Sequence, residues 1–173
     1  MIELATFHDA EAINRIYNQA VQLGGCTADT EPISIEQRLA WLSEHAECGL
    51  PVFVFREADR VQGWCSLSPY RKGRQALATC AEISYYVDES QQGRGIGRKL
   101  TVHALEWSRH TGLQTLVAFL IDGNEKSIGL LVSLGFAEWG RIRSAYQWQG
   151  TVRDHLLYGR NLAENKAEPR VFG

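Results

Sequence analysis

The sequence predicts a single α+β domain in which a mixed, mostly antiparallel, twisted sheet is flanked by helices. The chain has 173 residues, of which 45% are hydrophobic, and this is enough for one domain with a substantial core. Segments of alternating apolar residues and segments of helical spacing follow one another without the strict alternation of α/β folds. No repeat or linker divides the chain. We therefore expect one domain over residues 1–162 and a polar tail over residues 163–173.

The N-terminal part is predicted to contain one strand and two helices. Residues 1–6 alternate in polarity and form a first or edge strand. From about Asp9, apolar residues recur at helical spacing until Gly24 ends the helix. After a polar loop, Ser34 and Gln37 have the spacing of a capping box, which predicts the start of a second helix.

Strands dominate the rest of the chain. β-branched and aromatic residues alternate up to Val87, whereas residues 115–121 form an almost unbroken apolar run, typical of a strand covered on both faces. Asn124 is placed as the N-cap of a short helix. The predicted elements are, in order, strands at 51–56, 61–70 and 77–87, a helix from Ile96 ended by Gly112, a strand at 115–121, a helix at 124–134, and strands at 137–148 and 153–160.

Composition and charge argue against several functional classes. The formal net charge of −2 disfavours nucleic acid or an anionic membrane as the main partner. No apolar run reaches the ~20 residues of a membrane span and no signal segment opens the chain, so we expect a cytoplasmic location. The cysteines and histidines lack zinc spacing, which predicts free thiols and no metal. The cysteines are Cys26, Cys48, Cys65 and Cys80.

A glycine-rich loop joins the strand that ends at Val87 to the helix that begins at Ile96. Glycines let backbone N–H groups approach an anion, and the positive end of the helix adds to the attraction. Arg94, Arg98 and Lys99 contribute formal charge. The dinucleotide pattern G-x-G-x-x-G would require glycine at position 98, and the P-loop pattern is absent. The sequence therefore predicts a phosphate loop of another kind, with a plain tight turn as the alternative.

The loop from Gln92 to Gly97 matches the pattern Q/R-x-x-G-x-G, and in this the chain resembles the GNAT superfamily of N-acetyltransferases, whose loop of this form holds the pyrophosphate of coenzyme A. Other segments are similar to the subgroup that acetylates phosphinothricin, methionine sulfoximine or methionine sulfone. These segments are residues 27–32, 63–71, 81–87 and 134–136, together with Asn124, Ser127 and Asp154. The resemblance implies acetyl-CoA as donor, the primary amine of a small amino acid or analogue as acceptor, and a homodimer.

The resemblance also implies roles for individual residues. An amine is mostly protonated at neutral pH, so a base must accept its proton, and Glu82 is the candidate; a solvent-facing strand carboxylate is the alternative. The amide of Val87 is expected to polarise the thioester carbonyl. The expected cofactor contacts are Tyr85, Tyr86 and Val87 along the pantetheine arm, Gln92, Gly93, Arg94, Gly95, Ile96, Gly97 and Arg98 at the pyrophosphate, and Asn124, Ser127 and Ser133 on the next helix.

The acceptor is expected to meet two groups of residues. Arg71 and Arg74, at a basic turn, are expected to bind its carboxylate; a solvated hairpin tip is the alternative. Thr27 and Asp29 resemble the loop that overhangs the acceptor, although polar connecting loops are common. The five tryptophans are predicted to be core or dimer-interface residues rather than ligand contacts.

Two positions depart from the subgroup. Val152 stands where the subgroup often has a tryptophan, two residues before Asp154. Leu131 stands where the subgroup carries a histidine that is a proposed acid or base. The departing thiolate would then take its proton from water or from a nearby hydroxyl such as Ser133, or leave unprotonated. No nucleophile with an adjacent base is found, so we expect direct transfer. Two alternatives stay open: a same-fold enzyme for a protein N-terminus, a polyamine or an aminoglycoside, and a non-catalytic acyl-CoA-binding module.

Overall fold

Residues 1–163 are described by a computed structural model, in which one seven-stranded sheet is combined with four α-helices. The strands are β1 (Ile2–Leu4), β2 (Val52–Glu57), β3 (Arg60–Pro69), β4 (Cys80–Val87), β5 (Thr115–Ile121), β6 (Ala137–Trp148) and β7 (Thr151–Asn161). The helices are α1 (Ala10–Leu23), α2 (Ile35–Cys48), α3 (Ile96–His110) and α4 (Glu125–Ser133). In this part of the chain, no helix has both the length and the apolar content to cross a membrane. Of the expected tail, all but Ala163 lies outside the described residues.

The strand order across the sheet is β1-β2-β3-β4-β5-β7-β6. β4 and β5 run parallel, and every other neighbouring pair is antiparallel. This confirms the predicted mixed, mostly antiparallel sheet. It also places β1 at one edge, as the sequence suggested, and leaves β6 at the other.

The two faces of β2 show how the core is divided. Val52 and Val54 pack with α1 and α2, whereas Phe53 and Phe55 pack with α3. Successive side chains of a strand point to opposite faces of the sheet, so a run of apolar residues is buried on both sides. The sheet is therefore the middle of three layers, with α1 and α2 on one face and α3 and α4 on the other.

β4 and β5 pair over only three residues. The parallel register joins Cys80–Glu82 to Thr115–Val117 and then stops. Beyond this point β4 continues to Val87 paired with β3, and β5 continues to Ile121 paired with β7. The two strands therefore separate, and a cleft opens between their C-terminal halves.

The structure corrects the predicted starts of two elements. β4 begins at Cys80 rather than at residue 77, because Gln75–Leu77 forms a 3-10 turn ahead of it. β7 begins at Thr151 rather than at residue 153, because Thr151 already pairs with Trp148 across the hairpin. α3 ends at His110 with Thr111 as its C-cap, and Gly112 follows with a φ of +81°, which confirms Gly112 as the stop of this helix. The remaining predicted ends agree with the structure to within one or two residues.

α2 begins at a complete capping box, as the sequence predicted. The Oγ of Ser34 accepts a hydrogen bond from the amide of Gln37 at 3.3 Å, and the amide of Ser34 donates to Oε1 of Gln37 at 2.8 Å. These bonds satisfy amides that have no partner inside the helix. The box thereby fixes the first turn of α2, whose inner face lines the site described below.

Replacing Ser34 by alanine should lower the free energy of unfolding by about 1 kcal/mol, because the Gln37 amide loses its acceptor. Urea denaturation of the wild type and the variant measures this change. Ser34→Asp, which keeps an acceptor at the same position, is the matched control and should lose much less. An equal loss in both variants would contradict the assigned role of the cap.

Candidate active site

The cleft between β4 and β5 contains two adjoining cavities. The first, which we call the loop cavity, has a volume of about 570 Å³ and is lined by the end of β4, the glycine loop and the first turns of α3 and α4. The second, the Glu82 cavity, has a volume of about 590 Å³ and is lined by β4, β5, α1 and α2. Cys26 and Tyr86 line both cavities, so the two meet at these residues.

The glycine loop supplies the loop cavity with backbone N–H groups. Gly93 and Gly95 have φ angles of +78° and +75°, in the left-handed region that glycine adopts without strain. Gly95 is also the N-cap of α3. Within residues 1–163, none of the amides from Gly93 to Arg98 donates to a protein acceptor. Unpaired N–H groups at the positive end of a helix form an anion-binding site.

Two arginines of the loop have different surroundings. Nη1 of Arg98 donates to Oγ of Ser133 at 2.8 Å, and this hydroxyl donates to the carbonyl of Leu130 at 2.7 Å. Arg98 lines the loop cavity and Ser133 does not, so Ser133 positions Arg98 and lies away from the junction of the cavities. Arg94 forms an ion pair with Glu57 at 2.9 Å and lies outside the lining.

The first turn of α4 forms another wall of the loop cavity. Oδ1 of Asn124 accepts a hydrogen bond from the amide of Ser127 at 3.3 Å, which confirms Asn124 as the N-cap. The hydroxyl of Tyr85 donates to the carbonyl of Ser127 at 3.4 Å, and burial raises the pKa of Tyr85 to about 12. Asn124 and Ser127 therefore cap the helix and line the cavity at the same time.

The amide of Val87 points into the cleft. Along a strand, successive N–H groups point to opposite neighbours. The amide of Asp88 donates to the carbonyl of Gln62 on the β3 side at 2.9 Å, so the amide of Val87 points to the other side, where β5 has separated from β4. An N–H group without a strand partner is able to donate to an oxygen atom of a bound ligand.

Glu82 lies on the side of β4 that faces the second cavity. Glu82, Ser84 and Tyr86 alternate into this cavity, whereas Ile83 packs in the core on the opposite face. Burial raises the pKa of the Glu82 carboxyl, and the hydrogen bond with Ser84 acts in the opposite direction. A carboxyl group whose pKa is displaced upward is better suited to accept a proton near neutral pH.

Tyr17 organises the loop over the Glu82 cavity. Its hydroxyl donates to Oδ2 of Asp29 at 2.5 Å and shares a hydrogen bond with Oγ1 of Thr27 at 2.8 Å. Burial and the hydrogen bond to Asp29 raise the pKa of Tyr17 to about 12. The structure thus places Thr27 and Asp29 in the lining of the cavity, where the sequence predicted the acceptor loop.

Arg71 and Arg74 are not brought to either cavity, contrary to the sequence expectation. Both are exposed, and neither belongs to the lining. Their turn projects beyond Pro69 and Ala81, the last residues paired between β3 and β4. Arg71 lies over the ring of Tyr70, at 5.4 Å from its centroid.

Sequence analysis missed several residues of the Glu82 cavity. The missed residues are Tyr17, Arg38, Trp41, Trp64, Phe119 and His155. Trp41 and Trp64 do pack in the core, as predicted, but they also line the cavity. Arg38 lies three residues after Ile35 and four before Leu42, on the face of α2 that packs against the sheet. A charged residue on the apolar face of a helix was therefore a signal available in the sequence.

Leu131 provides no acid or base to the cleft. Its side chain is 0% exposed and packs in the core cluster that includes Leu100 of α3. It lines neither cavity. The position at which the resembling subgroup carries a histidine is part of the core in this chain.

Comparisons with known proteins agree with this architecture. The model of the acetyltransferase (GNAT) family matches residues 11–136. The chain is 36% identical over 163 residues to YwnH of Bacillus subtilis, with 94% of this chain and 99% of YwnH covered. It is 34% identical over 164 residues to the L-methionine sulfoximine/L-methionine sulfone acetyltransferase of Pseudomonas paraeruginosa, with 93% and 94% covered. Among solved structures, this chain superposes on a phosphinothricin acetyltransferase from Sinorhizobium meliloti, crystallised in complex with AcCoA, with a TM-score of 0.90. The two are 26% identical, and the superposition covers 100% of this chain and 94% of that one.

Replacing Gly95 by alanine should weaken acetyl-CoA binding about 10- to 100-fold, because a strained φ displaces amides that bind charged oxygens. Isothermal calorimetry measures the affinity. Gly112 has a φ of +81° and, like Gly95, has open space where a Cβ would stand, but it lies at the far end of α3. Gly112→Ala is therefore the matched control: it should cost comparable stability and leave the affinity unchanged. Equal affinity in both variants would contradict the role of the loop.

Proposed function

This chain belongs to the acetyltransferase (GNAT) family and is an acetyl-CoA-dependent N-acetyltransferase, and we propose that its acceptor is the primary amine of a small amino acid or analogue. The observation that carries the proposal is the cavity around the partly buried carboxyl of Glu82, which meets the loop cavity at Tyr86. The relatives named for methionine sulfoximine, methionine sulfone and phosphinothricin support acceptors of this size and chemistry.

The loop cavity holds the donor in this proposal. The free amides from Gly93 to Arg98 bind the pyrophosphate, and Arg98 adds a charge-assisted contact. The pantetheine arm then runs along Tyr85–Val87 into the cleft, so that the thioester lies where the two cavities meet. The amide of Val87 donates to the thioester oxygen and stabilises the negative charge that develops on it during attack.

Glu82 acts as the general base for the acceptor amine. Glu82 lies four positions before Tyr86, and this step corresponds to about 13 Å of strand. The proton therefore travels from the amine to the carboxylate through bridging water, with the hydroxyl of Ser84 between them. The neutral amine attacks the thioester carbonyl, the carbon–sulfur bond breaks, and the acetyl group passes directly to nitrogen.

The departing thiolate has no acid from α4. Leu131 is buried in the core, and Ser133 lies outside both linings. Coenzyme A therefore leaves as the thiolate or takes a proton from water that enters the cleft. Ser133 contributes to donor binding by accepting a hydrogen bond from Arg98, which lines the loop cavity. In this proposal it takes no part in proton transfer.

Incubation with acetyl-CoA and a panel of acceptors tests the substrate class, with thiol release as the readout. Methionine sulfone, methionine sulfoximine and phosphinothricin should be acetylated in preference to a polyamine, an aminoglycoside and a peptide N-terminus. Preference for a cationic or peptide acceptor would replace the proposed class. Binding of acetyl-CoA without thiol release on any acceptor would favour a non-catalytic acyl-CoA-binding module.

Replacing Glu82 by glutamine should lower kcat by about 10²- to 10⁴-fold at neutral pH and leave acetyl-CoA affinity nearly unchanged. In the wild type, kcat/KM should fall as pH decreases through the pKa of Glu82, because only the carboxylate accepts a proton. Burial raises this pKa, so the acid limb should lie above the ordinary glutamate value of 4.5. Steady-state rates over a pH series check both points. Exposed Glu47→Gln is the control, and wild-type turnover in Glu82→Gln would remove Glu82 from the role of base.

We also propose that two copies associate through the β6 edge and act in the cytoplasm. β6 spans 12 residues at the sheet edge; Trp139 and Ile142 on β6 are 48% and 61% exposed, and Val152 on the neighbouring β7 is 57% exposed. Exposed apolar side chains next to an open strand edge are what a second copy would cover. The four free cysteines suit a reducing compartment. Light scattering over a concentration series measures the mass, and a monomer throughout would contradict the dimer.

A further inference from the structure

Arg38 is a buried cation that lacks a protein partner. The residue is 3% exposed, and its Nε and Nη2 atoms are buried without a hydrogen-bond acceptor. Within residues 1–163, no carboxylate forms an ion pair with it. Buried charged groups are almost always paired in stable proteins. The Nε and Nη2 atoms of Arg38 therefore lack an acceptor among the residues that the structure describes.

Three aromatic rings hold the guanidinium in place. Its central carbon lies 4.8 Å from the ring centroid of Tyr17, 4.6 Å from that of Trp41 and 5.4 Å from that of Trp64. The rings orient the planar fork and exclude water from it, but they accept no conventional hydrogen bond from its N–H groups. Asp29 attracts Arg38 electrostatically without a hydrogen bond between them, and its Oδ2 accepts the hydroxyl of Tyr17.

Arg38 and Glu82 line the same cavity, one from α2 and the other from β4. An α-amino acid carries a carboxylate beside its amine, so its two polar ends match these two charges. The planar fork of an arginine binds a carboxylate through two parallel hydrogen bonds. The exposed Arg71 and Arg74 would bind the same group in water, where such contacts contribute little.

We propose that Arg38 binds the carboxylate of the acceptor and so restricts this enzyme to acceptors that carry an acid group next to the amine. The inference rests on the proposed function, and it assigns the position of each end of the acceptor. The carboxylate lies between α2 and the aromatic rings, and the amine points along β4 toward the water that contacts Glu82. Amines without an acid group leave the buried cation unpaired and are bound weakly.

A cycle of two substrates and several enzyme variants tests the proposal. The substrates are methionine sulfone and its carboxamide, which differ only at the acid group. Arg38→Gln should lower kcat/KM for the acid about 100-fold and change it little for the carboxamide, because only the acid loses a charged partner. Arg38→Lys, which keeps the charge but not the fork, should fall in between. Exposed Arg109→Gln should match the wild type on both substrates.

A second measurement separates binding from support of the fold. Replacing Arg38 by methionine removes a buried unpaired charge, so the melting temperature of the empty protein should not fall. Methionine sulfone should raise the melting temperature of the wild type in the presence of coenzyme A and leave that of Arg38→Met unchanged. A large loss of stability in Arg38→Met would show that Arg38 supports the fold instead.

The outcomes distinguish this inference from the proposed function. Equal losses on the acid and the carboxamide in Arg38→Gln would overturn the carboxylate contact while the proposed acceptor class stands. An acid-specific loss in Arg71→Gln or Arg74→Gln, with none in Arg38→Gln, would move the contact to the turn. A wild type that acetylates the carboxamide as well as the acid would overturn the role of Arg38 alone, whereas a wild type that acetylates neither these substrates nor any other amino acid would overturn the proposed acceptor class as well.

Discussion

The early end of the pairing between β4 and β5 is the constraint on which the rest of the site depends. A complete parallel ladder would occupy the amide of Val87 and fill the space between the strands. Because the ladder stops after Glu82 and Val117, the strand edge stays open in the middle of the sheet. Backbone groups that are normally paired in a buried sheet become available to a ligand there. The cleft contains both cavities, and these meet at Cys26 and Tyr86.

Arg38 and Glu82, two charged groups of the Glu82 cavity, carry a desolvation cost in the empty protein. Moving an ion out of water costs several kcal/mol per ion, whereas a desolvated cation–π contact returns about 2 kcal/mol. The three aromatic rings around Arg38 therefore offset much of its desolvation, but they leave Nε and Nη2 without a hydrogen-bond acceptor. Glu82 avoids part of the same cost because its raised pKa brings the neutral form closer to working pH. The surrounding core clusters, which bury both faces of β2 and β3, provide the stability that allows two such groups in one cavity.

The loop cavity and the Glu82 cavity differ in how they recognise ligands. The first uses backbone amides and helix ends, and these depend on glycine conformations and capping more than on side-chain identity. The second uses side chains from α1, α2, β3, β4, β5 and β7. The lining of the Glu82 cavity therefore changes with individual side chains, whereas the amides of the loop cavity do not. Leu131 is consistent with this difference. Its buried side chain gives α4 no acid or base, while the capped first turn of α4 still lines the loop cavity.

The sequence by itself determined the features that depend on neighbouring residues. Strand alternation, the helix caps at Ser34 and Asn124, and the glycine loop before Ile96 all arise from local hydrogen bonds and local periodicity, so they could be predicted with nearly correct bounds. Only the tertiary structure decided which side chains share the Glu82 cavity. Arg38 and Glu82 come together because α2 crosses the face of the sheet toward which Glu82 points, and His155 joins them from β7. Arg71 and Arg74 stay outside because the last ladder pair of β3 and β4 sets where their turn projects. Contacts between segments so far apart in the chain follow from layer packing, which no single stretch of sequence encodes.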